Sequence, residues 1–210
     1  MSKANKSNKA IKYRLYPNDE QKVMFAKTFG CCRFVYNQLL ALQKQRYKDG
    51  ESHLSKLKSN EFATRTLKKD YDFLKEIDKF AVSNAVFHLA DAYDRFFKKQ
   101  NHFPKFKSKR KSKKSYTTNF TNNNILIGKN VIKLPKVGMV KAVIHKLPKD
   151  DWKLKSVTVS QDSVGNYFAS VLFEYEQEDI PSVSKSSTNA IGLDYKSDGL
   201  YMDSNGNKAG

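Results

Sequence analysis

Between Asp94 and Asp150 the sequence has no acidic residue at all. The window 95–149 nevertheless carries 16 Lys or Arg. Cysteine is nearly absent too: Cys31 and Cys32 are the only two, and they are adjacent. Neighbouring cysteines rarely pair with each other, and two thiols are too few for a structural zinc. A disulfide scaffold is thereby excluded, and the pair reads as small buried groups of a reducing compartment. The four histidines, His53, His88, His102 and His145, are scattered without metal-ligand spacing. No long hydrophobic run occurs, and the opening MSKANKSNKA is read as neither a signal peptide nor a membrane span. The expected compartment is the cytosol or nucleoid, with no membrane partner. No internal repeat is visible.

What is present is mostly positive charge and aromatic bulk. The 210 residues carry a net charge of +18, with 14 Phe and 11 Tyr. That much apolar material predicts a packed core rather than a disordered tail. The charge is uneven: residues 1–94 hold 18 basic and 11 acidic side chains, whereas 150–210 hold 5 and 10. Most of the excess therefore sits in the central block, and a polyanion such as nucleic acid would neutralise it.

The period of the apolar residues changes along the chain. Ile11 to Tyr16 alternates apolar and basic, which predicts a half-buried strand ended by Pro17. Asn18 and Gln21 can form a capping box for a helix to Phe29, and Gly30 is expected to interrupt it. A second helix is expected from Cys31 to Tyr47, with a further charged helix over 55–70. The clearest helical pattern covers 79–99, where Val82, Val86, Leu89, Tyr93 and Phe96 share one face. Pro104 is expected to break that helix; the stretch 102–116 is basic, Ser-spaced and not amphipathic, and after it the period becomes two. Strands are expected at 125–127, 131–134, 140–146, 155–161 and 167–176, a spacing that suggests a small antiparallel barrel. Residues 177–189 read as a linker. Ala190 to Tyr195 and Leu200 to Met202 then read as two new strands, with a turn at 204–206.

Three features could carry function. In 102–116, Lys105, Lys107, Lys109, Arg110, Lys111, Lys113 and Lys114 interleave with Phe103, Phe106 and Tyr116. Cations contact phosphates and aromatic faces stack on unpaired bases, so this run is a candidate nucleic-acid site. A solvated loop that contacts nothing is the alternative. The pair of helices flanking Gly30 could be a helix-turn-helix in which Arg33 and Asn37 touch DNA, or an ordinary helical hairpin. Asp194 is delivered by an apolar strand before a polar turn, which suits either a metal-binding carboxylate or a strand-end cap.

Four segments in order, Tyr13–Pro17, Phe29–Asn37, Phe103–Lys107 and Ile191–Leu200, resemble the TnpB/OrfB family of insertion-sequence proteins. The resemblance spans essentially the whole chain and corresponds to the N-terminal portion of the family. It implies an α+β fold: a helical recognition lobe inserted in a small antiparallel β-barrel, the oligonucleotide-binding-like wedge domain. The first hairpin of a truncated RNase H-like RuvC domain would follow. The implied divisions are a first wedge strand (1–17), recognition lobe (18–101), basic connector (102–118), wedge barrel (119–178), linker (179–189) and nuclease start (190–210).

The resemblance also implies guide RNA and target DNA as partners, with no small-molecule substrate, in a prokaryotic cytosol. By position Ser83 and Asn84 would read the motif beside the DNA target. Asp194 would be the first RuvC carboxylate, a ligand of Mg²⁺. The remaining carboxylates and the family's zinc-binding Cys-x-x-Cys pairs have no counterpart here. Cleavage by this chain is therefore not expected. The alternatives are a stand-alone helix-turn-helix regulator and a non-functional fragment of a decayed element.

Overall fold

A computed structural model describes residues 5–177, 192–196 and 199–209 of the chain. Two compact units divide it, one over Lys6–Glu176 and one that includes the C-terminal strands.

The larger unit begins with β1 (Asn5–Tyr16), a strand in which Ile11, Tyr13 and Leu15 are buried and their neighbours face outward. Pro17 ends it, and Asn18 opens α1 (Asp19–Lys48). The capping box forms as expected: Asn18 Oδ1 accepts from the Gln21 N–H at 2.8 Å, and Gln21 Oε1 accepts from the Asn18 N–H at 3.1 Å. Gln21 Nε2 also donates to the Met139 carbonyl at 2.8 Å, tying the helix start to the sheet.

The expected break at Gly30 does not occur. α1 is one helix of 30 residues that runs straight through it. A mid-helix glycine costs about 1 kcal/mol relative to alanine, too little to stop a helix held by packing on both sides. Phe29, Cys31, Cys32 and Val35 are buried around it, and a Cβ at Gly30 would meet nothing within 4 Å. The 55–70 segment is more broken than expected. It forms α2 (Lys56–Glu61), a π-helical turn (Phe62–Leu67) and α3 (Lys68–Asp70).

α4 (Lys79–Phe97) matches its pattern, burying Val82, Val86, Leu89 and Tyr93. Its cap is the buried Asp78, whose Oδ2 accepts from the Ala81 N–H at 3.3 Å and from Thr118 Oγ1 at 2.7 Å. One carboxylate thus starts the helix and binds it to the sheet.

The remaining strands of this unit are β2 (Lys114–Asn119), β3 (Leu126–Ile127), β4 (Val131–Leu134), β5 (Gly138–Val143), β6 (Lys153–Gln161) and β7 (Tyr167–Gln177). With β1 they make a seven-stranded sheet in the order β2-β6-β7-β1-β5-β4-β3. The helices are therefore an insertion between the central strand and an edge strand. The sheet is open, whereas the strand spacing suggests a barrel. At the β2 edge a helix stands where another strand would close it: Asn84 Nδ2, on α4, donates to the Thr117 carbonyl at 3.0 Å. β2 itself was not expected, because the basic run was read as irregular to Tyr116.

A single core joins sheet and helices. Phe25 and Phe29 of α1 pack on Tyr116 of β2, and Phe25 also packs on Tyr167 of β7 with ring centroids 5.4 Å apart.

In the second unit, β8 (Leu193–Lys196), β9 (Gly199–Asp203) and β10 (Lys208–Ala209) form an antiparallel sheet in the order β10-β9-β8. A third strand thus joins the expected hairpin. The β9–β10 turn is built by Asp203, whose carboxylate accepts from the N–H groups of Asn205 and Asn207 and from Asn207 Nδ2, with Gly206 at φ +85°. The linker read at 179–189, together with Ala190, Ile191 and Asp198, lies outside the described residues.

Candidate nucleic-acid interface

Asn37 fixes the basic run to α1. Its Nδ2 donates to the Lys107 carbonyl at 2.9 Å and its Oδ1 accepts from the Lys107 N–H at 2.8 Å. A side-chain amide used in this way mimics a strand partner, and it holds a segment with no secondary structure of its own. Lys107 is drawn inward by the same contact. Its ammonium lies 4.0 Å from the Tyr36 ring centroid, and burial pushes its pKa down.

Beyond Lys107 the chain turns on two serines. The Ser108 N–H donates to Ser112 Oγ at 2.9 Å, and the Lys111 N–H donates to Ser108 Oγ at 3.0 Å. The turn presents Lys109, Arg110 and Lys111 to solvent. Lys105 and Lys113 are exposed as well, and none of these five cations joins an ion pair among the described residues. Lys114 is exposed and donates to Gln161 Oε1 at 3.0 Å. Arg33, of α1, and His88, of α4, line a polar cleft with Lys107, Lys113 and Lys114. Desolvation, then the charge of Lys107, lowers the His88 pKa.

The other sequence candidates divide. Phe103 and Phe106 are exposed, with the Lys44 ammonium 5.5 and 4.9 Å from their ring centroids. Tyr116 corrects the sequence reading. Its ring lies in the core against Phe25 and Phe29, and burial drives its hydroxyl pKa up strongly, so it offers no face to a base. Asn37 and Asn84 both hold their own chain together, Asn37 at Lys107 and Asn84 at Thr117 and Asn119. Ser83 is half-buried on α4.

Sequence reasoning missed a second cationic surface on the sheet. The Lys12 ammonium and the Arg14 guanidinium lie 4.2 and 5.0 Å from the Phe168 ring centroid, and Arg14 lies 5.5 Å from Tyr16. Arg14 also donates to Asn166 Oδ1. The signal was available, since these are the basic members of the β1 alternation.

Asp194 is exposed on β8, opposite Met202. Asp203 lines the same shallow cleft, but its oxygens serve its own turn. No group of three or more His, Cys, Asp or Glu that could hold a metal is present among the described residues. These residues therefore do not fit a two-metal Mg²⁺ site. Nor do the thiols suit zinc: burial pushes Cys31 up to about 11 and Cys32 up to about 12. Among the described residues no helix is long and apolar enough to cross a membrane.

Asn37→Ala should cost about 1–3 kcal/mol, because two hydrogen bonds are lost and the Lys107 backbone groups are stranded. Thermal melting reads that cost. Binding to single-stranded oligonucleotide should weaken in parallel as the turn loses its anchor. An unchanged melt would show the clamp to be idle.

Residues 7–52 match a helix-turn-helix domain, that of OrfB from IS605 elements, although here the segment is β1 followed by the single helix α1. The chain is 30% identical over 202 residues to a "Putative RNA-guided DNA endonuclease" of Streptomyces pristinaespiralis, covering 95% of this chain and 49% of that protein. It is 29% identical over 192 residues to the "Putative RNA-guided DNA endonuclease InsQ" of Escherichia coli K12, covering 88% of this chain and 44% of that protein. It is also 32% identical over 111 residues to "Virulence protein VsdF" of Salmonella dublin, covering 48% of this chain and 93% of that protein. The chain spans about half the length of the two endonuclease relatives, and the match lies in their N-terminal part. With the motifs and these alignments in agreement, the chain belongs to the TnpB/OrfB family of insertion-sequence proteins.

Proposed function

We propose that this chain is the nucleic-acid-binding portion of a TnpB-like, RNA-guided DNA endonuclease, and that it holds guide RNA and target DNA. The observation that carries the reading is the Asn37-clamped turn, which presents Lys109, Arg110 and Lys111 without an internal counter-charge among the described residues. Cations arranged in this way neutralise backbone phosphates whatever the sequence. On this reading the seven-stranded sheet takes the part of the wedge domain and the inserted helices that of the recognition lobe. Ser83, at the α4 surface beside Asn84, is the candidate for touching the target-adjacent motif. The C-terminal strands take the part of the start of a RuvC-like domain, with Asp194 as its first carboxylate. No cleavage step is assigned to the described residues, because their carboxylates do not gather into a metal site. The reading places the protein in a prokaryotic cytosol.

Sequencing the nucleic acid that copurifies with the chain, after nuclease trimming, tests this. One dominant RNA is expected. A heterogeneous mixture, or none, would overturn the guide-binding assignment.

A further inference from the structure

The C-terminal half of α1 and the end of α4 enclose a groove of about 650 Å³ on the helical side of the larger unit. Its walls are aromatic: Tyr47, His53, Tyr93, Phe96, Phe97 and Phe103. Four of these rings are exposed, His53 among them, with Tyr47 at 83%, Phe97 at 66% and Phe103 at 40% exposure. Phe103 meets Tyr93 and Phe96 edge-on at 5.6 and 5.2 Å, while Tyr93 and Phe97 lie nearly parallel at 6.2 Å. A cluster of exposed rings costs solvation free energy unless something flat and apolar covers it.

The edge of the groove says what kind of partner that is. Lys44 and Lys48 line it, and the Lys44 ammonium lies 5.5 Å from the Phe103 ring centroid and 4.9 Å from that of Phe106. Glu51 is the one acidic lining residue, and it is paired with Arg46. The surface therefore combines apolar ring faces with a cationic rim. It also runs directly into the acid-free segment, since Phe103 lies two residues before Lys105. A partner with flat apolar faces on a polyanionic backbone complements both parts. Unpaired nucleotides have that chemistry, and a duplex, whose bases face inward, does not.

We propose that this groove takes the unpaired bases of a single-stranded RNA or DNA segment, with Lys44 and Lys48 on the adjoining phosphates. The strand would leave it along Lys105 toward the Lys109–Lys111 turn. This rests on the nucleic-acid-binding role proposed above and adds to it a place for bases as well as phosphates.

The test uses the whole chain and three fluorescein-labelled probes of about 12 nucleotides, oligo(U), oligo(dT) and a DNA duplex, with affinity read by anisotropy. Tyr47→Ala and Phe97→Ala change exposed rings outside the buried core, and melting curves confirm that each variant folds. Each should weaken single-strand binding about tenfold or more while leaving the duplex affinity and the salt slope unchanged. Tyr47→Phe should keep parental affinity. Loss on oligo(U) alone assigns the groove to RNA, and loss on oligo(dT) alone assigns it to DNA; either supports the proposal.

Parental affinity in both alanine variants would overturn it. So would a change in sedimentation without a change in binding, which would make the groove an interface between copies of the chain. If the unaltered chain binds none of the probes, the nucleic-acid role itself falls. If it binds them and only Lys109–Lys111 substitutions weaken it, the groove assignment alone falls.

Discussion

Replacing Lys109, Arg110 and Lys111 together with alanine should lower single-strand affinity about 100-fold at 0.1 M salt. Each phosphate neutralised on a single strand contributes roughly 0.7 to the slope of log K against log salt. Three lost contacts flatten that slope by about 2, and the affinity loss follows from the same figure. The loss should shrink as salt rises, because the missing contribution is counterion release rather than packing. These three side chains are suited to the measurement because they stand on a serine-cornered turn, are exposed and are not part of the buried core. Lys107→Ala is the internal control. Its ammonium is turned onto the Tyr36 ring, so it should alter the melt more than the slope. An unchanged slope in the triple variant would reduce the basic run to a solvated loop.

Phe25→Ala should cost about 3–5 kcal/mol, the usual range for removing a buried aromatic ring. For a protein of this size that is roughly a 10 °C fall in melting temperature. The ring is fully buried and lies among Phe29, Tyr116 and Tyr167, with centroids 6.4, 6.3 and 5.4 Å away. Those neighbours come from α1, β2 and β7, so the cavity would open where helix and sheet meet. Fluctuations there reach the basic run too, since Asn37 on the same helix anchors Lys107. Differential scanning calorimetry reads the first effect. A fall of only a degree or two would mean that other contacts hold α1 to the sheet.

Local signals in the sequence were informative wherever one residue type has one main physical use. Asn18 and Gln21 announced the start of α1, and the spacing of Val82, Val86 and Leu89 announced α4. The misreadings came from tertiary contacts. Gly30 looked like a break, but packing on either side carries the helix through it. Tyr116 looked like part of a basic loop, but pairing with Val159 places it in β2 with its ring inward. The same applies to the site. The exposed cations and Phe106 could be found by composition, because a cation with no acidic neighbour in sequence tends to face solvent. The inward turn of Lys107 could not be found, because it depends on Asn37, which lies 70 residues away. Asn84 was a plausible surface contact until its amide met the β2 edge, 33 residues on.

The central place of β1 governs the order in which this protein can assemble. β1 is synthesised before every other described strand, yet its neighbours are β5 and β7, and its register pairs Arg14 with Val143. At translation rates of about 5–20 residues per second, β1 waits roughly 6–25 s for the first of them. The helices α1 to α4 arrive in that interval and fold through local contacts, whereas the sheet must wait for distant ones. An unpaired strand on a nascent chain is a hazard, since it can pair with the same strand on another. Lys6, Lys9, Lys12 and Arg14 stud this one, so two copies would repel along their length. The two cations beside Phe168 in the finished sheet, Lys12 and Arg14, would thus also oppose such pairing before the sheet forms.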